Sequence, residues 1–367
     1  MPPPPQQRLV ILDSHGILFR AFFALGAVDS PLRTSTGELT FAVYGYAESL
    51  LRVLEQLNPS HICAAWDSPG KTFRHEASVD YKATRRETPS DLLPQMVRVR
   101  EMLDAFNIPI FESQGFEADD LVGTLALKAA AQGIETYIVT LDTDMVQLLG
   151  PNVKLFMYRP YQRDTVTYDE AKAAERWGFS PPYMVDFKAL KGDTSDNIPG
   201  IRGVGDKTAT DLIRQFGSLE SIYENIELVK QPALRKKLIE GEEQARFSKK
   251  LATIVTDLPV DFDLEACRVG DYDRDRVVAL FRELEFRTLI VRLPEVIGGD
   301  PVQPQDAVSL SYTVVDSQPG LDALAASLRA AGNFAFGALS TTGDTSHRLP
   351  LGFSFATAPG TAWYVPV

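Results

Sequence analysis

The chain has 367 residues, 44% of them apolar and 23% charged, a balance that excludes wholesale disorder and implies two or more domains. Cys63 and Cys267 are too few and too far apart for a zinc motif or a disulfide framework. The opening MPPPPQQR has no apolar signal core and no apolar run spans a bilayer, so a cytoplasmic protein without membrane insertion is expected. A net charge of −12 argues against a polyanionic partner unless the cations are gathered in one place.

In chain order, RLVILD (8–13) reads as a strand, FAVYGYAESLLRVLEQL (41–57) as a helix and HICAAWD (61–67) as a second strand. MVRVREMLDAF is helical and IPIFES a strand; ADDLVGTLALKAAAQG is a helix closed by Gly133, and ETYIVT and KLFMY are further strands. Such alternation predicts βαβ units, a mostly parallel sheet with helices on both faces. From Pro181 to Phe286 the pattern is helical with glycine and proline punctuation, and LPEVIGGDPVQPQDAV reads as a linker. After it VSLSYTVV, LDALAASLRAAG, NFAFGAL, LGFSFA and TAWYVPV resume strand and helix signals, and the last domain reads as incomplete.

Three apolar runs end in acids. Ligands of a parallel sheet sit beyond the carboxyl ends of its strands, so Asp13, Asp67, Asp142 and Asp144 are expected on one rim. GFEADDLVG adds Glu117, Asp119 and Asp120 at a helix start on the same side, and LKGDTSDNIPG offers Asp193 and Asp196, spaced to share one face of a helical turn. Each acid alone has a plainer reading as a helix-start, cap or turn residue. Together they repel and raise one another's pKa unless cations neutralise them. Oxygen-only donors suit Mg²⁺ or Mn²⁺, and His15, His61, His75 and His347 lack the spacing that zinc would want. Two such ions about 4 Å apart can activate water and stabilise the leaving oxygen of a phosphodiester.

Cations are segregated in KTFRHEASVDYKATRR, where Lys71, Arg74, Lys82, Arg85 and Arg86 alternate with Phe73 and Tyr81; this reads either as a phosphate-binding, base-stacking surface or as a solvated face. A second cluster, LRKKLIEGEEQARFSKK, reads as an exposed helix pair. IPGIRGVGDKTATDLI crowds Gly200, Gly203 and Gly205 ahead of Lys207 and Thr208. It is no P-loop, because Asp206 precedes the lysine and a helix rather than a strand comes before it. A helix-hairpin-helix accounts for it better, with backbone N–H groups and Lys207 meeting the phosphates of one duplex strand, although a plain glycine-rich turn is also compatible.

Taken in order, LDSHGILFRAFFAL, WDSPGKTFRHEASVDYKATR, GFEADDLVGTLA, TLDTDMVQLL and LKGDTSDNIPGIRGVGDKTA resemble the 5′ nuclease domain of bacterial DNA polymerase I, a relative of flap endonucleases, from about Arg8 to about Leu293. The resemblance implies a PIN-like α/β core over 1–180 with an arch at 71–95, a helix-hairpin-helix region over 181–292, a linker over 293–307 and an incomplete, ribonuclease H-like 3′–5′ exonuclease domain over 308–367. It implies a first metal site of Asp13, Asp67, Glu117 and Asp119 with Asp120 close by, and a second toward Asp142, Asp144, Asp193 and Asp196. Arg20 and the arch residues Arg74, Tyr81, Lys82 and Arg85 would meet the 5′ strand, and the hairpin would grip duplex, commonly with K⁺. Ser14 departs from the family's glycine but is small enough to fit, whereas Gly337 and Leu339 stand where the exonuclease Asp-x-Glu pair belongs, so 308–367 is expected to be inactive.

The function expected is Mg²⁺-dependent cleavage at 5′ flaps or RNA primers, with Lys82 and Arg85 neutralising the scissile phosphate, in a monomeric piece of a polymerase polypeptide that by itself cannot extend a primer. Two rivals are a DNA-binding module without turnover and an aspartate phosphatase built on Asp142 and Asp144.

Overall fold

The structure is a computed structural model that describes residues 7–26, 31–85, 87–159, 164–270, 272–294, 311–340, 350–358 and 361–367. Arg86, His347, the opening prolines and most of the linker lie outside the described residues. The chain divides into two compact units, Met1–Ile297 and Gly298–Val367.

The first unit is built on six strands, β1 (Arg8–Asp13), β2 (His61–Ala65), β3 (Ile110–Phe111), β4 (Glu135–Val139), β5 (Val153–Arg159) and β6 (Asp164–Tyr168), in the order β3-β2-β1-β4-β5-β6. All neighbours are parallel except β5 and β6, an antiparallel edge pair. Residues of β1 alternate between two cores. Leu9 and Ile11 join Cys63, Ala65 and Ile138 on one face, and Val10 and Leu12 join Ile62, Ala64 and Val139 on the other. Both faces are therefore covered, as a parallel sheet requires.

On the second of these faces lie α1 (Ser14–Leu25), α2 (Phe41–Leu57) and, beyond the five-residue α3 (Phe73–Ala77), α4 (Leu92–Ala105). The helix α2 places Ala42, Val43, Tyr46, Ala47, Leu50 and Leu51 on its buried side, the i, i+3, i+4 stripe expected of a packed helix. The opposite face is covered by α5 (Ala118–Ala131), and that core runs on into α6 (Glu170–Trp177), α7 (Met184–Lys191), α8 (Asp206–Phe216), α9 (Leu219–Glu224), α10 (Pro232–Glu240) and α11 (Glu242–Ala252). The last helices of this unit, α12 (Arg274–Glu283) and α13 (Arg287–Ile290), do not belong to this helical region, as a division at 181–292 implies. Val277, Phe281, Phe286 and Leu289 instead pack with the α2 and α4 side of the sheet.

IPIFES yields only the two-residue β3 rather than a full strand, DMVQLL lies in a 3₁₀ turn (Thr143–Leu148), and the arch segment has the short α3 followed by turns. Strand β6 had no counterpart in the reading of the sequence.

The second unit is a sheet in the order β7-β10-β9-β8, made of β7 (Ser311–Val314), β8 (Ala335–Ser340), β9 (Pro350–Ala358) and β10 (Thr361–Pro366), with α14 (Gln318–Ala331) before β8. Gly337 lies within β8, paired with Ser354. Among the described residues, no helix is long and apolar enough to cross a membrane.

Candidate active site

The parallel register aligns the strand ends. Asp13 is level with Ala65 of β2, and Leu12 is level with Val139 of β4, so Asp67 and Asp142 follow just past the same edge. Asp13 is buried; its Oδ1 accepts from Gly16 N at 3.0 Å, capping α1, and its Oδ2 accepts from Thr140 Oγ1 at 2.7 Å. A Cβ on residue 16 would lie 2.3 Å from Asp13 Oδ2, so only glycine lets the carboxylate seat there. Ser14 fits as expected, fully buried with its hydroxyl 2.9 Å from that of Tyr46. Asp67 accepts from Ala118 N at 2.7 Å, which ties the β2 end to the start of α5, and lies 3.6 Å from His15 Nδ1. Burial pushes Asp13 up to about 6, partly offset by the Thr140 and Gly16 hydrogen bonds and reinforced by Asp142 and Asp67. Burial, then Asp142 and Asp13, raise Asp119 well above the usual carboxylate range, against the pull of Lys82. Asp13, Asp67, Asp119 and Asp142 thus crowd one another electrostatically, which is the condition that a cation relieves.

Around this group the remaining acids are held by cations of the chain itself. Glu117 accepts from Lys82 Nζ at 2.7 Å and from Tyr81 OH at 3.0 Å. Asp196 accepts from the same hydroxyl at 3.1 Å and from Arg85 Nη2 at 2.6 Å. Lys188 bridges Asp144 and Asp193, the latter at 2.5 Å. Burial would raise Asp193, but Lys188 and the Ser195 hydrogen bonds bring it down to about 2.

Several expectations are corrected here. Asp120 is not turned to the other acids: its carboxylate receives Arg74 Nη1 and Nη2 at 2.7 Å each, Val255 N at 2.8 Å and Glu117 N at 3.1 Å, and it is fully buried. Arg74 is no DNA contact, because it is itself buried and also donates to the carbonyls of Leu251 and Thr253. Tyr81 is 3% exposed, so its ring is not offered for stacking. Asp193 and Asp196 do not share a helical face; they sit in a tight loop closed by paired Asp193 and Ile198 backbone bonds of 2.8 and 2.7 Å, and each turns to a different cation. As placed, among the described residues, no three Asp, Glu, His or Cys side chains stand close enough to ligate one ion, so the nine acids do not form one ligand cluster.

Arg20 is exposed on α1 and lines a cavity of about 510 Å³ with Tyr44, Glu48 and Thr140. The glycine-rich segment joins α7 to α8, with Gly200 buried at φ +60° and Gly203, Gly205 and Lys207 exposed; Thr208 is half-buried in the first turn of α8. The sequence reading missed Lys188, which in FKALKGD looks like one more solvated helix lysine, and Thr140, which orients Asp13. The acids on either side of Lys188 were the available signal.

The family described as "5'-3' exonuclease, N-terminal resolvase-like domain" matches residues 8–178, and "5'-3' exonuclease, C-terminal SAM fold" matches 179–275. The chain is 40% identical to DNA polymerase I of Chloroflexus aurantiacus and 36% identical to that of Bacillus subtilis, in each case over 98% of this chain. It spans 41% and 40% of the length of these relatives. Among solved structures, T5 5′-exonuclease with divalent metal ions (zinc) bound is similar at a TM-score of 0.54 and 20% identity, covering 78% of this chain and 100% of that one. Flap endonuclease-1 of Methanococcus jannaschii is similar at 0.53 and 16%, covering 78% and 90%. The chain belongs to the 5′–3′ exonuclease family, whose members are phosphodiester hydrolases.

Proposed function

We propose that residues 8–293 form a divalent-ion-dependent nuclease that hydrolyses phosphodiesters where a 5′ single strand leaves duplex DNA, removing displaced flaps or RNA primers. The observation that carries this reading is the crowding of Asp13, Asp67, Asp119 and Asp142 at the strand ends, with Asp13 and Asp119 pushed up by burial and by neighbouring acids. Donors that are all carboxylate oxygen fit Mg²⁺ or Mn²⁺. When bound, such ions supply activation of water and neutralisation of the leaving oxygen.

The chain's own residues do the rest. With their carboxylates drawn closer than they now stand, Asp13 and Asp119 would hold one ion with Asp67 and Glu117, and Asp142, Asp144, Asp193 and Asp196 would serve the other. Lys82, on a turn whose backbone N–H is fixed to Asp196 O at 2.9 Å, and the exposed Arg85 are placed to take up phosphate charge when it displaces their carboxylate partners. The exposed amides at the start of α8, with Lys207, suit the phosphates of a duplex, where K⁺ would assist. This basic provision gives phosphates cations to meet in spite of the acidic net charge.

In this reading the second unit, lacking carboxylates at Gly337 and Leu339, has no exonuclease activity, and the chain acts as one monomeric, cytoplasmic part of a DNA polymerase I polypeptide. The test is a labelled 5′ flap duplex incubated with Mg²⁺ or with chelator, beside Asp119→Ala and a small phosphate ester. Cleavage of the flap only with Mg²⁺, lost in Asp119→Ala while duplex binding stays within a few fold, is expected. Turnover of the ester alone would favour the phosphatase, and binding without cleavage would favour a passive module.

A further inference from the structure

Lys188 lies inside α7, 6% exposed, where an aliphatic residue would satisfy the packing of a buried helix position. Burying an ammonium is costly unless it is paired. Its partners come from separate places: Asp144 from the 3₁₀ turn after β4, and Asp193 from the loop after α7, whose Oδ2 it meets at 2.5 Å. Without the ammonium, two half-buried carboxylates would face each other across a gap with no charge between them. With it the gap holds one positive charge against two negative ones. A hard divalent ion would balance both, and the same oxygens are its preferred donors.

We infer that Lys188 is the resident counterion of this gap in the ion-free enzyme, and that a divalent cation enters between Asp144 and Asp193 only by displacing it. This rests on the reading of Asp144 and Asp193 as ion ligands given above. The group at the strand ends is less obstructed. Of the acids assigned to the first ion, Asp13, Asp67 and Asp119 show no ion pair with a lysine or arginine among the described residues, and only Glu117 is so paired, with Lys82 and Arg74. The two ions therefore load unequally, the first readily and the second at a higher concentration set by Lys188. Lys188 is a positioning residue, acting through Asp144 and Asp193. It also keeps Asp144 and Asp193 apart and oriented until the ion arrives.

The test uses the full chain without DNA. Mn²⁺ binding is followed by electron paramagnetic resonance for the wild type, Lys188→Met and Lys188→Arg, with thermal melting to establish that each is folded. The expected result is that Lys188→Met tightens the weaker site on the order of tenfold, about 1.4 kcal/mol of binding free energy, while Lys188→Arg, which keeps the charge, stays within about threefold of wild type. A lysine that merely braces the loop would give the reverse, with the weaker site loosened in Lys188→Met. Should Lys188→Met fail to fold, the wild type still decides the matter through acetic anhydride labelling read by peptide mass spectrometry. Labelling of Lys188 is expected to rise several-fold as the second Mn²⁺ binds, and labelling that stays constant through that range overturns the inference. Two ions bound equally tightly by all three proteins overturn only this inference, whereas no Mn²⁺ bound by any of them overturns the nuclease reading beneath it.

Discussion

Arg74 and Asp120 form a buried two-pronged ion pair, Nη1 to Oδ2 and Nη2 to Oδ1, both at 2.7 Å. It fastens the start of the arch to α5 and, through the carbonyls of Leu251 and Thr253 and the amide of Val255, to the end of α11. Removing one partner strands the other as a buried charge, so Asp120→Ala should cost about 3 to 5 kcal/mol in urea unfolding. Arg74→Met should cost about as much, and the double variant should recover a good part of the loss. A variant that stays as stable as wild type and loses only ion binding would return Asp120 to the ligand set.

Protonation of Asp13 should stabilise the ion-free fold. Its folded pKa, pushed up to about 6 chiefly by burial, lies above its unfolded value. The contribution is therefore fully present below about pH 4, lost as pH rises through about 6, and absent above it. At roughly 1.4 kcal/mol for each tenfold change in proton affinity, Asp13→Asn should be the more stable protein by about 2 to 3 kcal/mol at neutral pH in chelator. Urea titrations across this range check it. Equal pH dependence in the two proteins would show that Asp13 is not the group responsible.

Lys82→Ala should lower single-turnover cleavage of flap DNA by about 100-fold while leaving duplex binding within a few fold, because an electrostatic contact made at the reacting phosphate acts mainly on the rate. Arg85→Ala should act less strongly, since its side chain is 51% exposed and its charge is screened. Comparable losses of affinity and rate in Lys82→Ala would place the lysine in binding alone.

Two glycines of the α7–α8 connection should separate folding from binding. At Gly200, with φ +60°, a Cβ would sit 2.1 Å from Gly192 N, so Gly200→Ala should unfold the connection, at a cost of about 3 kcal/mol or more. A Cβ at Gly205 meets nothing within 4 Å, and its φ of −104° suits any residue. Gly205→Ala should then alter stability by less than about 0.5 kcal/mol and weaken duplex binding if the backbone approaches phosphate there. Calorimetric melting beside fluorescence anisotropy distinguishes the two.

The strand ends could be read in advance because a buried parallel strand is a short apolar run, and the residue after it is obliged to lie at the rim; Asp13, Asp67 and Asp142 follow from that alone. What each acid does there depends on partners distant in sequence. Asp119 and Asp120 are adjacent and chemically identical, yet α5 turns one toward Asp13 and Asp142 and the other onto Arg74. No local pattern encodes that choice. Arg74 and Tyr81 mislead for the same reason, since a basic and aromatic stretch looks the same whether it faces solvent or closes over carboxylates. Strand β6 escaped notice because DTVTY is short, polar and at an edge, where a sheet demands little of composition.

The alignment of Asp13 with Ala65, and of Leu12 with Val139, makes the sheet a ruler. Sliding one strand by a single residue would displace its terminal acid by about 3.3 Å and turn its side chain to the other face. That error exceeds what an oxygen ligand of a small hard cation tolerates, since Mg²⁺ distances hold near 2.1 Å. Insertions and deletions should consequently be ruinous inside β1, β2 and β4, even where every apolar contact could be remade.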